Sequence, residues 1–178
     1  MDIRNRMHDV VKLRCNACQD FLRMVIVPNW QQSLYNKAKY EVTTSTKLKN
    51  KYIPAYEKMR DFGIEEYSID DMDVTFISEL LYSCPEIAPS DKRTKMAMST
   101  LTDNRNAQDH SGENEDDEEL YLRGLLDLVN LRNFIRTVDK YETTISDEKR
   151  LNFRKDYAKK IDDLKDLLDE ERITLIQK

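Results

Sequence analysis

Arg105 and His110 stand five positions apart in the run Arg105-Asn106-Ala107-Gln108-Asp109-His110. Those two side-chain types can together break a phosphodiester next to a ribose hydroxyl. An imidazole, with an ordinary pKa of about 6.5, exchanges a proton with the 2′-hydroxyl or with the leaving oxygen near neutral pH. A guanidinium grips a phosphate through two parallel hydrogen bonds and stabilises the charge that builds on it. At this spacing around a helix end, both side chains can reach one phosphate. The 2′-hydroxyl is itself the nucleophile, so the pattern calls for neither a metal nor a cofactor.

Other chemistry-bearing groups are weaker. Arg4-Asn5-Arg6-Met7-His8 holds the same residue types, but its Arg-to-His gaps are one and three residues, and it opens an amphipathic helix. Cys15-Asn16-Ala17-Cys18 has the spacing of half a metal site, yet no second such pair occurs in the chain. Free Cys near an apolar face packs as a small hydrophobe. Lys47, Lys49, Lys51, Lys58 and Arg60, interleaved with Tyr52 and Tyr56, are the group best composed to contact RNA phosphates and stack on bases; the same residues also suit an ordinary solvated helix face. The run Glu113–Glu119 carries six acidic residues in seven. It reads as a solvated loop entering a helix whose N-terminus favours negative charge, or as a shield that holds a basic partner until RNA competes.

Helices must position these groups. Ile3, Met7, Val10, Val11, Cys15, Cys18, Leu22 and Val25 recur at helical spacing and predict a helix over residues 2–26, ended by Pro28-Asn29. Helical stretches follow over 30–40 and 47–60, with β-branched and hydroxyl residues disfavouring helix between them. Ser68 and Ser90 read as N-caps of two further helices. After the polar stretch 102–115 a strong helix spans 116–138. Its expected apolar face is Leu122, Leu125, Leu126, Val129, Phe134, Ile135 and Val138. Ser146 is expected to open a last helix with a seam of Leu151, Ala158, Ile161, Leu164 and Leu168 between opposite charges.

Only three Gly and four Pro punctuate the 178 residues, too few turns for a β-sandwich or barrel. The charged fraction of 35% beside 39% apolar residues suits helices with a narrow core and wide solvated faces. No apolar run is long enough to span a membrane, and Met1-Asp2-Ile3-Arg4 does not open a signal peptide. Three Cys without a disulfide framework point to a reducing, cytoplasmic setting. Residues 1–60 hold twelve Lys/Arg against five Asp/Glu, net +7, leaving −12 on the remainder of a chain whose net charge is −5. A basic N-terminal third can face phosphates, while the acidic remainder discourages indiscriminate polyanion binding. The expected architecture is all-α: an up-down helical bundle over residues 1–140, with an added C-terminal helix or arm over 141–178. Ile173 and Ile176 keep helical spacing to the end, which leads us to expect that the natural sequence continues.

In this setting the chain resembles the HEPN superfamily (higher eukaryotes and prokaryotes nucleotide-binding). That family's signature is an Arg, four to six residues, then a His, often with Asn directly after the Arg. Arg105, Asn106 and His110 match the four-residue form, and an acidic stretch and a long apolar helix follow as in the family. The resemblance covers roughly residues 1–140, and the motif is its specific part. It implies a metal-independent endoribonuclease in which two protomers join their motifs in one composite site. Arg105 would bind the phosphate, His110 would carry the proton, and Asn106 would orient one or the other. It further implies an RNA substrate, a homodimer, an antitoxin or activator as partner, and a role as toxin, antiviral defence effector or RNA-processing factor. The alternative is a non-catalytic module of the same shape that dimerises or binds a partner.

Overall fold

The computed structural model describes residues 3–25, 57, 58, 61 and 116–177. The fold is an all-α helical bundle, with no strand among the described residues. Its elements are α1 (Ile3–Val25), α2 (Asp117–Ile135), a 3-10 helix (Arg136–Tyr141) and α3 (Asp147–Gln177). The chain divides into two compact units, Met1–Ala17 with Met96–Lys178, and Cys18–Lys95. In the first unit, α2 and α3 run antiparallel: Tyr121 meets Asp169 near one end and Arg132 meets Asp162 toward the other. The 3-10 helix between them packs on both. The boundary expected at residue 140 falls inside that short helix.

α1 covers the span that hydrophobic spacing predicts, but its buried line is rotated. Ile3, Met7, Val10, Arg14, Ala17, Cys18, Gln19, Phe21 and Val25 are buried, and Val11 and Cys15 are only partly covered. A charged residue therefore occupies the middle of the seam.

α2 starts within the acidic run. The Asp116 carboxylate accepts a hydrogen bond from the backbone N–H of Glu119 at 2.8 Å, and Asp117, Glu118 and Glu119 fill the first turn. A side-chain cap satisfies one of the four N–H groups that a helix start leaves open, and the negative charges oppose the positive end of the dipole. The helix leaves α geometry at Arg136, where the Thr137 hydroxyl donates to the Phe134 carbonyl at 2.7 Å. Thr144 and Ile145 then donate their backbone N–H groups to the Tyr141 carbonyl, turning the chain toward α3. Ser146 opens α3 as expected, its hydroxyl accepting from the Lys149 N–H at 3.3 Å.

The buried faces of α2 and α3 match the expected ones only in part: Phe134, Ile135 and Val138, and Ile161, Leu164 and Leu168, are buried as expected, and other positions are not. On α2 the buried residues are Leu120, Tyr121, Gly124, Asp127, Leu128, Leu131, Phe134 and Ile135, whereas Leu122, Leu126 and Val129 are each 55% exposed. The segment Leu120–Leu131 is apolar on nearly every side, so hydrophobicity alone does not choose a face. Small Gly124 and charged Asp127 lie on the chosen one because α1 and α3 supply matching partners. On α3 the seam is Phe153, Tyr157, Ile161, Leu164 and Leu168, while Leu151 is exposed and Ala158 partly so. Lys159–Asp163, Lys160–Asp156 and Lys165–Asp169 pairs one turn apart line its outer faces. Exposed pairs of this kind stabilise a helix by about 0.3–0.5 kcal/mol each.

Candidate functional site

The residues expected to do chemistry, Arg105, Asn106 and His110, lie outside the described residues, as do Lys47, Lys49, Lys51 and Arg60. Lys58 is helical and exposed, with helical Glu57 before it. His8 is exposed on α1, and Cys15 and Cys18 are in no disulfide, Cys18 being buried. Cys18 fits the core-filling reading.

Within the first unit, two polar groupings stand out. Arg14 of α1 and Asp127 of α2 form an ion pair, Nη1 to Oδ2 3.5 Å, in which the side chains keep 1% and 0% exposure. Burying either ion alone is costly, and mutual attraction offsets that only with close geometry and further hydrogen bonds. The signal was present in the line Ile3, Met7, Val10, Arg14, Ala17, Phe21, where an arginine interrupts an otherwise apolar run.

The second grouping joins the start of α2 to the C-terminal half of α3. The Tyr121 hydroxyl donates to the Asp169 carboxylate at 2.6 Å, and the Lys165 ammonium donates to the same carboxylate at 3.2 Å. Arg172 donates to Glu118 at 3.0 Å and lies 4.9 Å from the centre of the Tyr121 ring, close enough for attraction between cation and ring face. The hydrogen bond from Tyr121 holds the Asp169 carboxyl below its ordinary value. The same bond, with burial, raises Tyr121 above its own. Lys165 is raised by its bond to Asp169, and Arg172 by the charge of Glu118. All four shifts favour a neutral phenol between fixed charges, which suits a tie between helices rather than a group that gives up protons. Sequence reasoning missed it because its members lie 48 and 54 positions apart.

Between α2 and α3 a groove of about 530 Å³ has an apolar floor that includes Leu125, Val129 and Ile161, with Arg132, Asp162 and Lys165 at its rim. Val129, 55% exposed, belongs both to this groove and to the outer face of α2 that carries exposed Leu122 and Leu126.

No protein-family model, curated protein or solved structure matches the chain. No helix among the described residues is long and apolar enough to cross a membrane.

Proposed function

We propose that the protein is a metal-independent endoribonuclease of HEPN type. The observation that carries this reading is the sequence run Arg105-Asn106-…-His110 placed ahead of an acidic stretch and a long helix. Support for the context comes from α2, which begins at Asp117 under an acidic cap and belongs to an all-α bundle. In the proposed reaction the ribose 2′-oxygen bonds to the adjacent phosphorus and the 5′-oxygen leaves. A 2′,3′-cyclic phosphate forms, and water can open it to a 3′-phosphate. The proton lost by the 2′-hydroxyl and the one gained by the leaving oxygen pass through His110, with a second copy of the motif across a two-fold axis. Arg105 neutralises the phosphate, Asn106 orients it or the imidazole, and Lys47, Lys49, Lys51, Lys58 and Arg60 hold the flanking backbone. The biological setting is a toxin or an antiviral defence effector, held in check by an antitoxin or released by an activator.

Gel analysis of a mixed RNA pool tests this, with and without the cognate activator. Cleavage is expected to survive EDTA, to stop when the 2′-oxygen at the cut is methylated, and to leave cyclic or 3′-phosphate ends. His110→Ala is expected to lower the rate by about 10²–10⁴-fold, the usual worth of positioned proton transfer. Arg105→Ala is expected to lower it by about 10²–10³-fold, by analogy with other donors to developing oxyanions. Cleavage that persists in both variants would remove these residues from the reaction.

The exposed Leu122, Leu126 and Val129 favour a second reading, a non-catalytic helical module that dimerises or binds a partner. It predicts that His110→Ala leaves function intact while changes to those three residues abolish it.

A further inference from the structure

We infer that the outer face of α2 is a self-association surface, on which α2 of a second copy of this chain packs antiparallel across a two-fold axis near Leu126. Two apolar residues and a valine at 55% exposure, spaced one turn apart, form a stripe along a helix whose other side already fills the core. Contiguous apolar surface on an otherwise highly charged chain marks a contact site. What identifies the occupant is the distribution of charge along the stripe. Its N-terminal end carries exposed Glu119 beside Glu118, which Arg172 already holds, and exposed Arg136 follows directly on its C-terminal end, one turn beyond Arg132, which Asp162 already holds.

A parallel partner would set like charges side by side. An antiparallel copy reverses the order and sets unlike charges together. With Leu126 opposite its own counterpart, Leu122 of each copy falls beside Val129 of the other. Glu119 and Asn133 stand seven positions to either side of Leu126, about 10 Å along the axis at 1.5 Å per residue. The acidic first turn of each copy therefore comes to rest between Arg132 and Arg136 of the other. A two-fold contact requires one patch to be complementary to itself, and this stripe is so in both hydrophobicity and charge. Each Leu122 also arrives at the mouth of the groove floored by Leu125, Val129 and Ile161 of the opposite copy. The surface stands whether or not the chain cleaves RNA, because it involves neither Arg105 nor His110.

Sedimentation of the full chain tests the inference. The parent is expected to be a concentration-dependent dimer. Leu126→Glu is expected to raise its dissociation constant by at least about 30-fold, as for a central interface residue, while its thermal melt stays near the parent's. Glu119→Arg and Arg136→Glu are each expected to weaken the dimer, and the two together to restore it. Leu126→Cys, next to its own counterpart across the axis, is expected to form an oxidised dimer much faster than the parent's native thiols do. A parent that sediments as a monomer overturns the inference. So does a Leu126→Glu dimer as tight as the parent's, or a Leu126→Cys chain that crosslinks no faster than the parent. The cysteine variant keeps the outcome decisive even if the glutamate variant fails to fold.

Discussion

Arg14 and Asp127 face each other across the interior of the first unit, Nη1 to Oδ2 3.5 Å, with almost no solvent reaching either side chain. Their neighbours along the two helices are Val10, Ala17, Leu128 and Leu131, all buried, so the pair fixes which turn of α1 meets which turn of α2. Asp127→Ala leaves a cation in that layer without its carboxylate, and Arg14→Ala leaves the anion. Each is expected to cost about 3–5 kcal/mol, the range for breaking a buried pair from one side. The double replacement Arg14→Met with Asp127→Leu is expected to melt near the parent or above it, since apolar residues of similar size avoid the desolvation penalty. Urea denaturation of the three variants checks this. A double replacement less stable than either single variant would show that the two side chains do not depend on each other.

The contrast between the two helices that carry this pair shows what the sequence could and could not convey. The spans of α1 and α3 were legible: both end within a few residues of the expected positions, because Ser146 and the hydrophobic spacing are local signals; the helices expected over 30–40 and 47–60 and after Ser68 and Ser90 lie largely outside the described residues. Helix faces were less so. Between Leu120 and Leu131 apolar side chains point almost everywhere, and the choice of Gly124 and Asp127 for the inside depends on Met7, Leu168 and Arg14, which come from elsewhere in the chain. The Tyr121–Asp169 bond is equally non-local. The candidate site differs again: Arg105, Asn106 and His110 are proposed from their types and spacing alone, and they lie outside the described residues.

At Gly124 α2 comes close to side chains of α1 and α3. A Cβ there would stand 3.0 Å from the Met7 sulfur and 3.2 Å from one Leu168 methyl. Alanine gains about 1 kcal/mol of helix propensity and crowds two side-chain ends, so Gly124→Ala is expected to lie within about 1 kcal/mol of the parent. Gly124→Leu has no such room and is expected to cost about 3 kcal/mol, the upper end for overpacking a filled core. Chemical denaturation of both variants separates the two effects. A leucine variant as stable as the parent would mean that α1, α2 and α3 do not meet at Gly124.

The bond from Tyr121 to Asp169 gives stability a pH signature. A hydrogen bond to a charged acceptor contributes roughly 1.5–3 kcal/mol when buried. This one lies at a partly exposed rim where solvent screens it, so Tyr121→Phe is expected to cost about 1 kcal/mol at neutral pH. Because Asp169 is held below its ordinary value of 3.8 in the folded state, its contribution is present above that value and lost as pH falls through the lowered one. The gap between parent and Tyr121→Phe should therefore stay constant from neutral pH down to the ordinary carboxylate range and close below it. At the alkaline end the sign reverses for the phenol. Tyr121 is raised above 10.0 by the same bond, so the folded parent holds a proton that the unfolded chain releases. Its advantage is complete below that value and fades as pH rises through the raised one, a decline the phenylalanine variant lacks. Thermal melts of both proteins across the pH range measure the two slopes. Curves that run parallel from acid to alkali would show that the phenol and the carboxylate are not bonded in solution.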